Sequence, residues 1–188
     1  MPRPDRPDRR AVPPSPHPTL RTADPPLPWT AGVEREVLPT GLTVLAQRDD
    51  SAPVAAVVTH IRAGFFDEPD EWAGLSHVLE HMFFKGTPTR GVGAVARETK
   101  GLGGYLNAGT GYDRASYYVV VPARNLARAI DIQADALQRA TLDPGELARE
   151  LQVIIEEAKR KRDTPSAVAS ETLHELLFDR HRIRARRG

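Results

Sequence analysis

From residue 33 onward the apolar positions follow two alternating rhythms, and the switches between them mark the predicted elements. "VEREVL", "PTG" and "LTVLAQR", from Val33 to Arg48, read as a hairpin of two short strands around turn residues. Ser51 and Pro53 interrupt the pattern, and "VAAVVTHIRAG" follows, whose β-branched content predicts a buried strand rather than a helix. After an acidic turn from Asp67 to Glu71 the rhythm becomes helical from Leu75 to Lys85, where Gly86 and Pro88 stop it. A short helix is predicted over Ala94 to Lys100, leading into "GLGGYLNAGTGYD". "RASYYVVVP" reads as a strand, and Pro122 begins a long helix through Arg139. Asp143-Pro144, an N-cap followed by proline in the first turn, begins another that runs to Arg162. Asp163-Thr164-Pro165 separates it from a last helix ending near Phe178. Strands cluster and helices cluster without an internal repeat. The predicted class is therefore α+β, an antiparallel sheet covered by helices.

Composition narrows this picture in three places. Ten of the seventeen prolines fall in residues 1–30 with almost no paired apolar residues, which predicts a disordered tail followed by one folded domain over 31–188. The formal net charge of +1 offers no general attraction to nucleic acid or to an anionic membrane, so neither is an expected partner. No run approaches the roughly 18 apolar residues of a membrane span, and the N-terminus lacks the apolar core of a secretory signal. The expected compartment is the cytoplasm. Because the chain has no cysteine, any metal must be held by His, Asp and Glu.

The candidate chemistry lies in "GLSHVLEHMFFKGT", residues 74–87. At about 100° per residue, setting His77 at zero places Glu80 near 300° and His81 near 40°, on one face. Leu75, Val78, Leu79, Met82 and Phe83 fall between about 100° and 240°, a stripe expected to pack inward on the other side. Histidines at i and i+4 can reach one ion, and imidazole suits Zn²⁺. The spacing His-x-x-Glu-His is the inverted form of the commoner zinc-peptidase motif. Glu80, between the two histidines, could take a proton from a water that zinc acidifies. On the pentapeptide alone a second reading stands beside this one, a solvated helix face that carries two histidines.

A catalytic zinc needs a third protein ligand and an open position. The helix "ELARELQVIIEEAKRKR" offers one. With Glu150 at zero, Glu157 lies near 340° on the same edge, and Leu147, Leu151, Ile154 and Ile155 form the adjoining stripe between about 40° and 140°. Glu156 lies near 240°, on the face expected to be solvated. Helix phase thus selects Glu157 as the inward carboxylate, with Glu150 placed to orient a histidine or Glu157 itself. A charged border on an amphipathic helix would show the same pattern.

With these residues in place, three blocks in order resemble the pitrilysin/insulinase family of inverted zinc peptidases, which includes the mitochondrial processing peptidases. They are "DEPDEWAGLSHVLEHMFFKGT", "GLGGYLNAGTGYDRASYYVVV" and "ELQVIIEEAKRKRDTP", and the similarity spans roughly residues 33–178. The resemblance implies a processing-peptidase-like half-domain that binds one zinc per chain through His77, His81 and Glu157. It also implies Glu80 as general base and Glu150 as the family's second glutamate. The Gly-Gly-x-x-Asn-Ala block is similar to the edge strand that receives substrate as an added β-strand. Asn107 and Ala108 would then contact the substrate backbone. Without the other blocks, the same stretch reads as a glycine turn entering a strand.

Members of the bacterial type usually carry two related halves, and the second supplies an arginine and a tyrosine for substrate binding. This chain ends before completing the first half, so the domain is expected to be truncated at its C-terminal end. "LLFDRHRIRARRG" starts like the family's "LFP-x-HP-x" region and then departs, with five arginines in residues 180–187 that read as a short disordered basic tail. His17, His60, His174 and His181 are expected to be structural or surface residues. The expected activity is zinc-dependent endopeptidase cleavage of extended peptides, with a second homologous half or subunit as partner. The alternative is a truncated, inactive structural or peptide-binding half.

Overall fold

The computed structural model describes residues 30–178, so the proline-rich segment 1–29 and the arginine-rich end 179–188 lie outside the described residues. The chain divides after Asp50 into two compact units. The first contains the hairpin β1 (Val33–Val37) and β2 (Thr43–Gln47), paired antiparallel from Val33 opposite Gln47 to Val37 opposite Thr43. Its turn closes through Leu38 N–H to Leu42 O (2.9 Å) and Gly41 N–H to Leu38 O (2.8 Å). Gly41 supplies the positive φ of 86° that such a turn requires.

The second unit is built on a three-stranded antiparallel sheet of β3 (Val54–Ile61), β4 (Tyr105–Thr110) and β5 (Ala115–Pro122), in the order β3-β5-β4. Five helices follow the predicted order. They are α1 (Leu75–Met82), α2 (Ala94–Gly101), α3 (Leu126–Arg139), α4 (Pro144–Arg162) and α5 (Pro165–Leu177). The class read from the sequence is the class observed, mixed helices and antiparallel strands. No helix among the described residues is long and apolar enough to cross a membrane.

The core forms where the period-2 pattern of β5 meets the helices. Ala115, Tyr117, Val119 and Val121 alternate onto one face and are all buried. They pack with Phe83, Val95, Ala129, Ile132 and Ala136 from α2, α3 and the end of α1. Gly104 permits the approach of β4, because a Cβ there would stand 2.6 Å from Val121 Cγ1 and 2.8 Å from Val120 O. β3 differs from its prediction. It alternates between exposed and half-buried residues, and His60 is exposed, with Nδ1 2.8 Å from Ser116 Oγ. The physical reason is that the helices cover one face of the sheet, so alternate side chains of β3 point away from them.

Helix α1 is also shorter than predicted. Beyond Met82 the chain tightens into i→i+3 bonds, Phe84 N–H to His81 O (3.2 Å) and Lys85 N–H to Met82 O (3.0 Å). The segment that follows is pinned to α3 by Asp135, which is buried. Its Oδ2 accepts from Thr87 Oγ1 (2.7 Å), Thr89 Oγ1 (2.9 Å) and the Arg90 guanidinium. Arg90 also reaches Asp131 (2.7 Å), and Arg139 lies 2.5 Å from Asp135 Oδ1 as an ion pair without hydrogen-bond alignment. Burial alone would push the Asp135 carboxyl up, but the bonds from Thr87, Arg90 and Thr89 and the charge of Arg139 outweigh it. The carboxyl is held well below its ordinary value.

This network yields a stability prediction. Asp135→Ala leaves Arg90 buried without its nearest counter-charge and should cost about 3–5 kcal/mol in urea unfolding. Because the folded-state pKa of Asp135 is depressed, its contribution is present above the ordinary carboxyl value of 3.8 and is lost as pH falls below it. The stability gap between wild type and Asp135→Asn should therefore narrow between pH 4 and pH 2. A gap constant over that range would show that Asp135 is not held as an ion pair.

Candidate metal centre

Helix α1 begins without a side-chain cap of its own. Gly74, with φ of 99°, occupies the N-cap position, and the cap comes from the acidic turn instead. Glu68, 4% exposed, accepts from Gly74 N–H through Oε2 and from Ser76 N–H through Oε1, both at 2.7 Å. A buried carboxylate at this end satisfies two of the open donors of the helix and complements its dipole. The sequence reading missed Glu68. A helix starting at glycine with no Ser, Thr, Asp or Asn beside it is the signal that a more distant acceptor must exist.

One turn apart on α1, His77 and His81 bring their Nε2 atoms to 3.2 Å, with the ring planes 82° apart. From α4, Glu157 places Oε2 3.7 Å from His77 Nε2 and 3.6 Å from His81 Nε2. Among the described residues these three form the one group whose donor atoms could share a metal ion. The set suits zinc. Bond lengths of about 2.0–2.2 Å in a tetrahedron separate neighbouring donors by about 3.3–3.5 Å, close to the three observed distances. The chemistry of the two nitrogens agrees. An ionised carboxylate only accepts, so Glu150 Oε2, 2.9 Å from His81 Nδ1, takes a hydrogen bond from Nδ1–H, which in the neutral imidazole leaves the Nε2 lone pair directed toward His77 and Glu157.

The carboxylates of the site differ by their neighbours. Glu150 is buried, and both its oxygens are engaged, Oε2 by His81 and Oε1 by the Lys85 ammonium at 2.5 Å. Burial pushes its carboxyl up, but Lys85 and His81 reverse the balance and hold it below the ordinary value. Glu80 shares the face of the histidines without joining the donor set. Its Oε2 accepts from Thr110 Oγ1 of β4 at 2.5 Å. Glu156 points away, 63% exposed, and pairs with Lys159 at 2.7 Å. The helix phase that separated Glu157 from Glu156 is the phase observed.

The apolar stripes behave differently from their prediction. Met82 is buried, but Leu75 and Leu79 on α1 are exposed, as are Leu151 and Ile155 on α4. Helix α1 is packed on two sides, with Met82 and Phe83 in the core and its histidine face toward α4 and β4. On α4 the inward edge runs Leu147, Glu150, Ile154, Glu157, Lys161.

Beside these groups lies an open cleft of about 400 Å³, lined by His77, Glu80, Thr110, Phe65, Tyr112 and Lys161 among others. Phe65 enters it because Gly64 lets the chain pass close to the β4–β5 turn, where Phe65 N–H bonds Gly111 O (3.1 Å) and Phe66 N–H bonds Tyr112 O (2.7 Å). Asn107 and Ala108 lie on β4, at the sheet edge. Asn107 Oδ1 accepts from Ala108 N–H (2.9 Å) and Nδ2 donates to Tyr105 OH (3.1 Å). Thr110 and Lys85 were not singled out from the sequence. Alternation from Ala108 would have put Thr110 on the same side of β4, facing α1. His174 approaches Tyr112 in an edge contact and, among the described residues, belongs to no donor group, whereas His17 and His181 lie outside the described residues.

Comparison with known proteins gives the family and the fold. The family model described as insulinase (peptidase family M16) matches residues 43–186. A probable mitochondrial-processing peptidase subunit beta of Arabidopsis thaliana is 37% identical over 177 residues, covering 93% of this chain and 33% of that protein. An uncharacterised zinc protease of Rickettsia felis is 36% identical over 141 residues, 75% of this chain and 34% of its own. Among solved structures, the first half of the periplasmic protease PqqL from Escherichia coli superposes with a TM-score of 0.76 at 25% identity, covering 83% of this chain and 35% of that one. The chain spans about a third of the length of the curated relatives it matches.

The geometry distinguishes ligands from bystanders by experiment. His77→Ala, His81→Ala and Glu157→Gln should each weaken zinc binding by more than about 100-fold, beyond the loss usual for a supporting partner. Glu156→Gln should leave it unchanged. Chelator competition on the purified chain measures both, and the reverse ranking of Glu156 and Glu157 would refute the assignment.

Proposed function

The chain belongs to the insulinase family, peptidase family M16, and on that premise we propose that it is the zinc-holding half of a metalloendopeptidase acting on extended peptides. The observation that carries the reading is the convergence of His77, His81 and Glu157 with Glu80 beside them, facing the same cleft but outside the donor set. In this reading one zinc per chain is held by those three residues. When bound, zinc acidifies water and polarises a carbonyl oxygen.

The remaining tasks fall to the chain. The neutral His81 presents the Nε2 lone pair because Glu150 keeps its single ring proton on Nδ1. Glu80 acts as the proton acceptor and then as donor to the leaving amine. Thr110 engages one of its oxygens, which fixes the carboxylate toward the cleft and leaves the other oxygen to take the proton. The β4 edge receives the peptide as an added strand, with Asn107 and Ala108 meeting its backbone. This requires Asn107 Oδ1 to release Ala108 N–H, from which it accepts at 2.9 Å. Relatives named as a subunit or as a first half support a second homologous half as partner. The open cleft favours the same view, since a second half would cover it.

Two measurements test the proposal. Glu80→Gln should retain zinc and lower peptide cleavage by about 10²–10⁴-fold, the usual worth of a general base. Loss of zinc in that variant, with its circular dichroism unchanged, would make Glu80 a ligand. Cleavage of an unstructured fluorogenic peptide by this chain should be weak and should rise when a second-half polypeptide is added. Positioning can account for about 7–11 kcal/mol of a barrier, and an open cleft forgoes part of it. Cleavage that never rises above a chelated control, even with the partner present, would favour an inactive peptide-binding half.

A further inference from the structure

Glu150 is engaged at both oxygens by residues of a single segment. His81 and Lys85 stand four residues apart, at the end of α1 and in the tightened turn beyond it, and they take opposite oxygens of the one carboxylate. The Glu150 side chain is 10% exposed and that of Lys85 23%, so neither head group is openly solvated. We propose that Lys85 is a positioning residue for the metal site. By holding Glu150 Oε1, it fixes the rotation of the carboxylate so that Oε2 stays on His81 Nδ1. The inference rests on the reading of His77, His81 and Glu157 as zinc ligands.

The place of the His81 proton decides what Nε2 can do. A neutral imidazole carries one ring proton, and the partner of one nitrogen decides the state of the other. If Oε2 leaves Nδ1, the proton can move to Nε2, the atom that must offer a lone pair toward His77 and Glu157. A carboxylate held by one bond can turn about its last torsion, which is broad and weakly restrained. A second, charge-assisted contact from the opposite side removes that freedom and compensates a buried negative charge. Lys85 is suited to this because the turn after Met82 carries its side chain back toward α4, on the side where Glu150 enters.

The test is a double-mutant cycle on the full chain, read by zinc affinity in chelator competition. Lys85→Met should weaken zinc about tenfold, within the range for loss of an outer partner of a ligand, and Glu150→Gln by at least as much. If Lys85 acts through Glu150, the double variant Lys85→Met/Glu150→Gln should be no weaker than Glu150→Gln alone. A nitrogen-15 spectrum of the metal-free chain supplies a readout that general destabilisation would not move. His81 should carry its proton on Nδ1 in the wild type, and Nε2 should gain proton occupancy in Lys85→Met. Wild-type affinity in Lys85→Met, losses that multiply in the double variant, or an unchanged His81 tautomer would each overturn the proposal. If the wild-type chain itself fails to bind zinc, the ligand assignment falls first, and this inference with it.

Discussion

A helix of two turns does not persist by itself in water, because nucleation costs more than so few hydrogen bonds return. Yet α1, eight residues long, must hold two imidazoles at a separation suited to one ion. The second unit solves this by restraining both ends of the helix from outside. Glu68 supplies the missing cap at the start, and the segment after the helix is tied to α3 through Thr87, Thr89, Arg90 and Asp135. Between these anchors Met82 and Phe83 are buried, which sets the rotation of the helix about its axis. The positions of His77 and His81 follow from that rotation, and the geometry of the site follows from theirs.

The same dependence explains why four glutamates in one small region can be assigned different tasks. Glu68 meets backbone N–H groups, Glu150 meets an imidazole and an ammonium, Glu80 meets a hydroxyl, and Glu157 meets two imidazole nitrogens. An acceptor whose oxygens are both engaged can orient its partners but has little capacity left for an ion. One held by a single hydroxyl keeps an oxygen for proton exchange. One placed beside two imidazole nitrogens completes a set of three donors that a single cation could share. Chemistry at this site is therefore distributed by neighbours rather than by residue type.

Much of this was legible in the sequence because helical phase is rigid. Once α4 begins at the Asp143-Pro144 cap, each later position has a fixed angle, and Glu157 and Glu156 separate without further information. The element order and the α+β class were legible for the same reason, since the rhythms of period 2 and 3.6 seldom imitate each other over such lengths. What could not be read was which side of each helix finds a partner. Leu75, Leu79, Leu151 and Ile155 look like inward residues, but their flanks are exposed while polar residues face the cleft. Hydrophobicity identifies a stripe and says nothing of how far a helix turns to satisfy a buried carboxylate. His60 shows the same limit in a strand, because an apolar run does not reveal that helices cover only one face of the sheet. Glu68, Thr110 and Lys85 were missed because each acts across a gap in sequence that only the fold closes.

The way the site is assembled also separates holding a metal from using it. Every candidate ligand, and every residue that restrains one, lies between Glu68 and Glu157, inside the second compact unit. Cleavage makes a different demand, because a peptide must be oriented against Glu80 and shielded from exchange with bulk water. The β4 edge can align a backbone, but a cleft open on one side cannot restrain the rest of it. On the proposed reading, affinity for the ion belongs to a local arrangement of two helices and a strand, whereas turnover needs a peptide held on both sides. A chain spanning a third of its relatives' length can possess the first while depending on another polypeptide surface for the second.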